Sequence, residues 1–144
     1  MKTKPITRFR NGYHFLSNFY QVMVVFEGNA YPSVEHAYQA AKCADIGQRF
    51  LFFSGSSAQA KQHGRKVKLR PDWERFKLSV MELLLRLKFT PDTQLAFWLL
   101  KTGNAELIEG NQWGDTFWGV CGGQGQNHLG KLLMKIRAEL REQA

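Results

Sequence analysis

A glycine-rich stretch of eighteen residues, Gly110 to Asn127, constrains this chain most, because it has no sustained apolar period. It contains six glycines, two tryptophans and a single carboxylate, Asp115. Glycine loses more backbone freedom on folding than other residues and adds no side chain to a core. Two explanations stay open: a surface loop whose tryptophans fold back onto the core, or a loop whose backbone closely approaches a ligand.

Composition favours a single folded domain over residues 1–144. The chain is 44% hydrophobic and 13% aromatic, which argues against disorder. No apolar run approaches the roughly 20 residues of a membrane helix, and the N-terminus does not resemble a signal peptide. Cys43 and Cys121 match no metal-binding spacing. We therefore expect a cytoplasmic protein with free thiols and no membrane partner; no pattern indicates an oligomeric state.

The charge balance favours anionic partners. Lysine and arginine number 20 against 12 acidic residues, a formal net charge of +8. Such a charge suits phosphorylated metabolites, nucleotides or nucleic acid without choosing between them. Between Lys61 and Lys77 seven basic residues face only two acidic ones. This basic stretch is either a solvated helix face and turn or an anion-binding edge.

The periodicity predicts an α+β fold, a predominantly helical domain with a small antiparallel β-hairpin. Residues 22–26 alternate as a strand does, Gly28-Asn29 suits a two-residue turn, and Ala30-Tyr31 begins the return strand. Residues 105–109 are ambiguous, and a second edge strand is one interpretation.

Five helices are expected. The first follows an N-cap at Ser33, and the second is short, spanning 58–63. The longest begins at Trp73 and is expected to be buried on most of its surface, because apolar residues lie on two of its sides. The fourth is expected to have its N-cap at Thr90 and to begin at Pro91. The last has its N-cap at Asn127, so the glycine-rich stretch leads into a helix N-terminus that attracts phosphate or carboxylate.

Three polar residues on the first helix are candidates for chemistry. Glu35, Gln39 and Lys42 follow at i, i+4 and i+7, so they share one face. The positive end of the helix dipole favours an ionised Glu35. The alternative is a solvent-exposed face with a weak hydrogen-bonded pair. Earlier in the chain, Ser17-Asn18 places two small polar side chains among aromatic residues, as a turn or a pocket wall would.

Glu35 and Asp115 are the carboxylates worth considering as catalysts. They are eighty residues apart in the chain, so only folding could bring them together. Two carboxylates beside aromatic rings suit cleavage of a glycosidic bond: one activates water while the other stabilises an oxocarbenium-like transition state. Trp118 could stack on a base or shape a sugar pocket, and a core tryptophan is the alternative.

Two other kinds of site receive little support from the sequence. The histidines at 36, 63 and 128 show no metal-ligand spacing, so we expect neither a metal nor a cofactor. Cys121 lies near Asp115 and could act as a nucleophile, but no histidine is evidently paired with it.

Four segments of the chain form a combined pattern: Phe15-Leu-Ser-Asn-Phe-Tyr20, Tyr31-Pro-Ser-Val-Glu-His-Ala-Tyr-Gln-Ala-Ala-Lys42, Gly114-Asp-Thr-Phe-Trp-Gly119 and Gly125-Gln-Asn-His-Leu-Gly-Lys-Leu-Leu-Met-Lys-Ile-Arg137. Together they resemble the YbiA-like proteins of the NADAR (NAD and ADP-ribose) superfamily. Shorter matches, including Lys88-Phe89, lie between them in order. The resemblance spans nearly the whole chain. The compact length and the run Gly122-Gly-Gln-Gly125 depart from the fuller family pattern.

The resemblance implies an N-glycosidase that hydrolyses the bond between a ribose C1 and a nitrogen. One branch of the family acts on phosphoribosylamino-pyrimidine intermediates of riboflavin synthesis, and another removes ADP-ribose from guanine bases in nucleic acid. Carried over by motif, Glu35, Asp115 and Trp118 match positions implicated in activity, and Lys42 matches one near the substrate. A non-catalytic reader of ADP-ribose or NAD is the competing class.

The expected partner is therefore a phosphoribosyl or ADP-ribosyl small molecule, with ADP-ribosylated nucleic acid as an alternative. We expect phosphate to be accepted by Lys42, by the N-terminus of the last helix and by a basic side chain such as Arg8. Which carboxylate is the general base is left open. The residues expected to contact the substrate are Arg8, Ser17, Asn18, Lys42, Gly119 and Asn127.

Overall fold

A computed structural model describes residues 3–143, which form two compact units. The unit Asn18–Lys88 contains strands β1 (Val24–Phe26) and β2 (Asn29–Tyr31), helices α1 (Val34–Ala41), α2 (Ser57–Gly64) and α3 (Trp73–Lys88), and a 3-10 helix, Ile46–Phe52. The other unit, residues 3–17 and 89–143, contains a 3-10 helix (Asn11–Leu16), helix α4 (Gln94–Lys101), strands β3 (Gly110–Asn111) and β4 (Val120–Cys121), and helix α5 (His128–Gln143). These elements confirm the predicted α+β class, mostly helical with one small antiparallel hairpin.

The predicted hairpin forms, but its turn lies one residue earlier than expected. β1 and β2 pair antiparallel with Val24 opposite Tyr31 and Phe26 opposite Asn29. The turn residues are therefore Glu27 and Gly28, with φ of 48° and 86°. Positive φ at both central residues is what the right-handed twist of a two-residue hairpin requires.

Helix α1 begins where its capping residue predicts. The Ser33 hydroxyl accepts a hydrogen bond from the His36 backbone N–H at 3.2 Å. His36 also places Nδ1 2.7 Å from that hydroxyl and Nε2 3.0 Å from the Gly55 carbonyl oxygen. Since a carbonyl only accepts, Nε2 carries a proton. Burial lowers the pKa of His36, which favours the neutral ring, and its hydrogen bonds make it part of the scaffold.

Helix α3 spans the predicted range, but the prediction that most of its surface is buried is wrong. Phe76, Leu83 and Leu87 are 40%, 46% and 39% exposed. The face that is buried carries Trp73, Met81, Leu84, Leu85 and Lys88. Apolar residues on two sides of a helix give the same period whichever side is covered, so the sequence could not identify the buried side.

Helix α4 begins three residues later than the expected start at Pro91. Thr93 is its N-cap, accepting a hydrogen bond from the Ala96 N–H at 3.2 Å. The Thr93 hydroxyl also donates to the Thr90 carbonyl at 2.6 Å, and Asp92 has a φ of 66°, so the residues after Thr90 form a turn. The prediction placed the cap on the first of two threonines, and the structure uses the second.

The glycine-rich stretch contains two short strands that its composition concealed. β3 and β4 pair in parallel, with Gly110 opposite Val120 and Asn111 opposite Cys121. In the ambiguous residues 105–109, only Leu107 makes a bridge, to Ile6. A strand of two residues is too short to show an alternation of apolar and polar residues, so the periodicity of the sequence does not reveal it.

Within residues 3–143 no helix is long and apolar enough to cross a membrane. Across the same residues, no three histidine, cysteine or acidic side chains form a group that could hold a metal ion.

Candidate active site

The predicted site residues form two groups, one in each compact unit. Asn18, Glu35 and Lys42 belong to the unit built around α1. The other unit carries the remaining residues, which are Arg8, Ser17, Asp115, Trp118, Gly119 and Asn127.

Glu35 is a buried carboxylate, which rules out the solvent-exposed face that was the alternative for α1. Its side chain is 8% exposed, and every residue of α1 is buried. The Gln39 Nε2 donates to Glu35 Oε1 at 2.9 Å, and the Glu35 backbone N–H donates to the Asn18 carbonyl at 3.0 Å. A buried carboxylate is costly unless it is hydrogen-bonded or paired with a charge. Gln39 supplies such a hydrogen bond, so the carboxylate is accommodated at this buried position.

Lys42 supplies positive charge near Glu35. The lysine follows α1 as its C-cap and is half-buried. Burial lowers the pKa of Lys42, while attraction to the Glu35 carboxylate acts in the opposite direction. The two predicted residues therefore interact electrostatically, as their shared face on the helix predicts. Lys42 suits binding of a substrate phosphate or a developing negative charge.

Asn18 brings an unused acceptor to this group. It is buried, its Nδ2 donates only to the weak acceptor Met81 Sδ at 3.5 Å, and its Oδ1 has no hydrogen-bond partner. Buried polar atoms are nearly always paired, so an orphaned one needs an explanation. Since the Asn18 carbonyl contacts the first turn of α1, this residue lies next to Glu35. A ligand hydroxyl or amine would satisfy the orphaned oxygen.

Asp115 organises the loop that carries it. Its Oδ1 accepts hydrogen bonds from the backbone N–H groups of Phe117 at 3.1 Å and Trp118 at 2.9 Å. The side chain of Asn111 bonds both backbone groups of Asp115, at 3.0 and 2.8 Å. The sequence indicated a catalytic role for this carboxylate but not this structural one. A partly exposed carboxylate held in this way keeps a fixed position.

Trp118 belongs to a cluster of three partly exposed rings. Its ring meets the Phe117 ring edge-on, with centroids 4.8 Å apart, and lies 6.5 Å from the His128 ring. Phe117 and His128 are 4.5 Å apart. This packing agrees with neither a fully buried core tryptophan nor an isolated ring. A partly exposed aromatic surface is what stacking on a base requires.

Gly119 is explained by internal packing. A Cβ at this position would collide with the carboxylate and the carbonyl of Glu109. Gly125 likewise leaves no room for a Cβ, because the Gly119 carbonyl is too close. Contact with the chain itself, and positive φ at Gly114 and Gly122, account for these glycines without a ligand. Gly119 as a substrate-binding residue stays a prediction.

The expected phosphate site at the N-terminus of α5 requires correction. The N–H groups of His128 and Leu129 donate to the carbonyls of Phe117 and Trp118, at 3.2 and 2.9 Å. The loop thus satisfies two amides that were expected to bind an anion. Asn127 precedes the helix as predicted, but its side chain does not cap it: Nδ2 donates to the Leu107 carbonyl at 2.9 Å, and Oδ1 accepts from the Glu109 N–H at 3.0 Å.

Replacing Asn127 with alanine is therefore expected to destabilise the protein by about 2 kcal/mol or more, because two backbone groups lose their partner. The φ of 52° at this position also disfavours alanine. Urea unfolding measures the effect. Lys131→Ala, at an exposed position of α5, is the matched control. A change of less than about 0.5 kcal/mol in Asn127→Ala would contradict this role.

Arg8 and Ser17 have simpler surroundings. Arg8 is exposed and lines a groove of about 590 Å³ that also includes Lys4 and Arg10. Three basic residues along one groove suit an anion. Binding of the substrate by Arg8 stays a prediction. Ser17 is half-buried at the end of the first 3-10 helix, where its N–H donates to the His14 carbonyl at 2.9 Å.

Lys88 is a buried lysine that the helical periodicity did not identify as a candidate functional residue. It is 3% exposed, and its Nζ lies 5.6 Å from the centre of the Tyr20 ring. Complete burial lowers the pKa of Lys88 from 10.5 to about 7. Buried lysines with such shifts are frequent at functional sites. The signal available in the sequence was the Lys88-Phe89 match to the family, at the end of an otherwise apolar face.

This shift predicts how stability depends on pH. Between about pH 7 and pH 10.5 the unfolded chain holds a proton on Lys88 that the folded chain has lost, so the free energy of unfolding rises with pH. Below about pH 7 Lys88 is protonated in both the folded and the unfolded chain, so folding then carries the full cost of burying its charge. Lys88→Met should stabilise the protein at pH 6.5, by an amount on the order of a few kcal/mol. Denaturant unfolding at pH 6.5 and 9.5 measures this.

The control for Lys88 is Lys131→Met, at an exposed lysine, which should leave the pH dependence as in the wild type. An unchanged slope of unfolding free energy with pH in Lys88→Met would show that another group causes it.

Comparison with known proteins gives one consistent result. The NADAR domain family model matches residues 6–141. The chain is 37% identical over 132 residues to N-glycosidase YbiA of Escherichia coli, covering 89% of this chain and 82% of that protein. It is 41% identical over 134 residues to a riboflavin biosynthesis protein of Vibrio vulnificus, covering 90% of this chain but only 36% of that longer protein. The NMR structure of E. coli YbiA matches with a TM-score of 0.87 and 34% identity, over 99% of this chain and 88% of that one.

Proposed function

This chain belongs to the NADAR domain family, and from that premise we propose that it is an N-glycosidase that hydrolyses the bond between ribose C1 and a nitrogenous base. The relatives named N-glycosidase support the enzyme class, because the chain spans most of their length. The observation that carries the proposal is the buried Glu35, which is hydrogen-bonded by Gln39 and whose backbone N–H donates to the carbonyl of Asn18, a residue with an orphaned Oδ1. We also propose a cytoplasmic location; Cys43 and Cys121 are both free.

Hydrolysis needs a general base that takes a proton from water, and Glu35 suits that role. As the C1–N bond breaks, its electron pair leaves with the base nitrogen, and positive charge builds on the ribose. A water oxygen bonds to C1, and Glu35 removes the water's proton, which then passes to the leaving nitrogen. The ionised carboxylate also stabilises the positive ribose. Asn18 Oδ1 accepts a hydrogen bond from a ribose hydroxyl or an amine of the base, and Lys42 binds phosphate.

The favoured substrates are phosphoribosylamino-pyrimidine intermediates of riboflavin synthesis. The support is the 41% identity to a relative named as a riboflavin biosynthesis protein. A second relative, from Zea mays, bears a similar name and is 35% identical over 124 residues. The chain covers only 36% and 20% of these two proteins.

A second candidate substrate is ADP-ribose attached to guanine in nucleic acid. The specific observation is the basic stretch between Lys61 and Lys77, in which Arg65, Lys66, Lys68 and Arg75 are exposed. Exposed positive charge of this kind suits a phosphate backbone. If nucleic acid is the substrate carrier, its binding should weaken steeply as salt is raised. Salt-independent binding would favour the free metabolite.

Parallel assays separate these candidates from a non-catalytic reader. Purified protein is incubated with a phosphoribosylamino-pyrimidine and with an ADP-ribosylated guanine oligonucleotide, and released products are measured by mass spectrometry. Isothermal titration with ADP-ribose measures binding alone. We expect product release with the pyrimidine substrate to be the faster reaction. Tight binding of ADP-ribose without release from either substrate would favour the reader and overturn the proposal.

A further inference from the structure

Gln39 is a polar residue of α1 to which the family resemblance assigns no role. It lies one helical turn after Glu35, and its Nε2 donates to Glu35 Oε1 at 2.9 Å. Both side chains are buried. The amide therefore does not compete with water for the carboxylate, as an exposed i, i+4 pair would. It holds one oxygen of Glu35 in a single direction.

The other end of the Gln39 amide occupies the space that Gly64 of α2 leaves by having no side chain. Gln39 Oε1 has no hydrogen-bond partner, and a Cβ at Gly64 would collide with it and with Gln39 Cδ. Any larger residue at position 64 would displace the amide. With Oε1 against Gly64, Nε2 points to Glu35; the reversed amide would place its oxygen against the carboxylate oxygen.

Gly64 is unexpected where it occurs. It is the last residue of α2, and the helix continues into an αR conformation at Arg65, so no left-handed backbone requires a glycine. Glycine inside a helix is less favourable than alanine. Close packing against Gln39 accounts for it. The space left by Gly64 therefore allows the Gln39 amide to lie where its Nε2 reaches Glu35.

We propose that Gln39, held by Gly64, is the positioning residue that orients Glu35 for attack of water on the ribose. This inference rests on the proposed N-glycosidase function. In the absence of the Gln39 donor the carboxylate samples other rotamers, and the reactive geometry is populated less often. The residue acts through Glu35, so its loss should lower kcat more than it changes KM.

The test uses two variants that disturb the hydrogen bond between Gln39 and Glu35, one at Gln39 itself and one at Gly64, which packs against it. Gln39→Met keeps the length and burial of the side chain but removes the donor. Gly64→Ala keeps the donor and displaces it, while favouring the helix. We expect each to lower kcat about 10- to 100-fold with KM within about threefold. Gln62→Ala, at an exposed position of α2, is the control and should match the wild type.

Thermal unfolding and a double variant complete the design. A structural role alone would lower the melting temperature and leave kcat per folded molecule unchanged, and that result would overturn the inference. In the Glu35→Gln background, Gln39→Met should cause no further loss, whereas an independent contribution would lower kcat again and contradict it. If Glu35→Gln retains full turnover, the assignment of Glu35 as the base fails, and if the wild type releases no product from either substrate, the proposed function itself fails. If only Glu35→Gln is slow, the inference alone fails.

Discussion

Glu35→Gln is expected to lower turnover at least about 100-fold while leaving the fold intact. Glutamine has nearly the same shape, so α1 and its contact with Asn18 are retained, but its amide cannot take a proton from water. It also removes the negative charge that stabilises a positive ribose. The measurement is the rate of free base release at saturating substrate.

The control for this variant is its unfolding transition, because a buried charge is being replaced. Removing the carboxylate also removes its attraction to Lys42, so a modest change in stability in either direction is expected. Near-normal base release by folded Glu35→Gln would contradict the assignment of Glu35 as the base. The affinity for the substrate should fall by a much smaller factor than the turnover rate.

Asp115→Asn is expected to cause a second large loss, again about 100-fold or more in turnover, with the loop retained. The asparagine oxygen can still accept the N–H groups of Phe117 and Trp118, so this variant removes mainly the charge. Asp115→Ala removes the acceptor as well and should destabilise the protein by about 1–3 kcal/mol.

Comparing the two variants separates the chemistry of Asp115 from its role in the loop. If Asp115→Asn retains normal turnover while Asp115→Ala loses both stability and activity, the carboxylate serves the loop alone. Equal turnover losses with a loss of stability only in Asp115→Ala would support both roles. Circular dichroism and denaturant unfolding provide the stability measurements.

Local patterns predicted the elements that hold Glu35. The N-cap at Ser33 and the spacing of Glu35, Gln39 and Lys42 depend only on neighbours along one helix, and the structure agrees on both. Local chemistry also predicted the hairpin, apart from the exact turn, because β-turn preferences involve only a few adjacent residues.

Local sequence patterns could not predict the contacts between segments that are distant in the chain. Whether the polar face of α1 or the second apolar side of α3 is covered depends on segments distant in the chain. The glycines show this most clearly. Gly64 is required by Gln39, and Gly130 would collide with the Leu107 carbonyl if it carried a Cβ. The sequence shows a glycine but not the residue that packs against it. The ligand explanation for Gly119 therefore could not be separated from internal packing.

The central claim is that this chain breaks an N-glycosidic bond with Glu35 as the base. A time course of both products by mass spectrometry, with wild type and Glu35→Gln side by side on a phosphoribosylamino-pyrimidine and on an ADP-ribosylated guanine oligonucleotide, tests it most directly. We predict that the wild type releases two products in equal amounts from one of these substrates: free pyrimidine and ribose phosphate from the first, or ADP-ribose and the unmodified oligonucleotide from the second. Glu35→Gln should release both products at least about 100-fold more slowly. Intact substrates after incubation with the wild type, or equal rates for the two proteins, would contradict it.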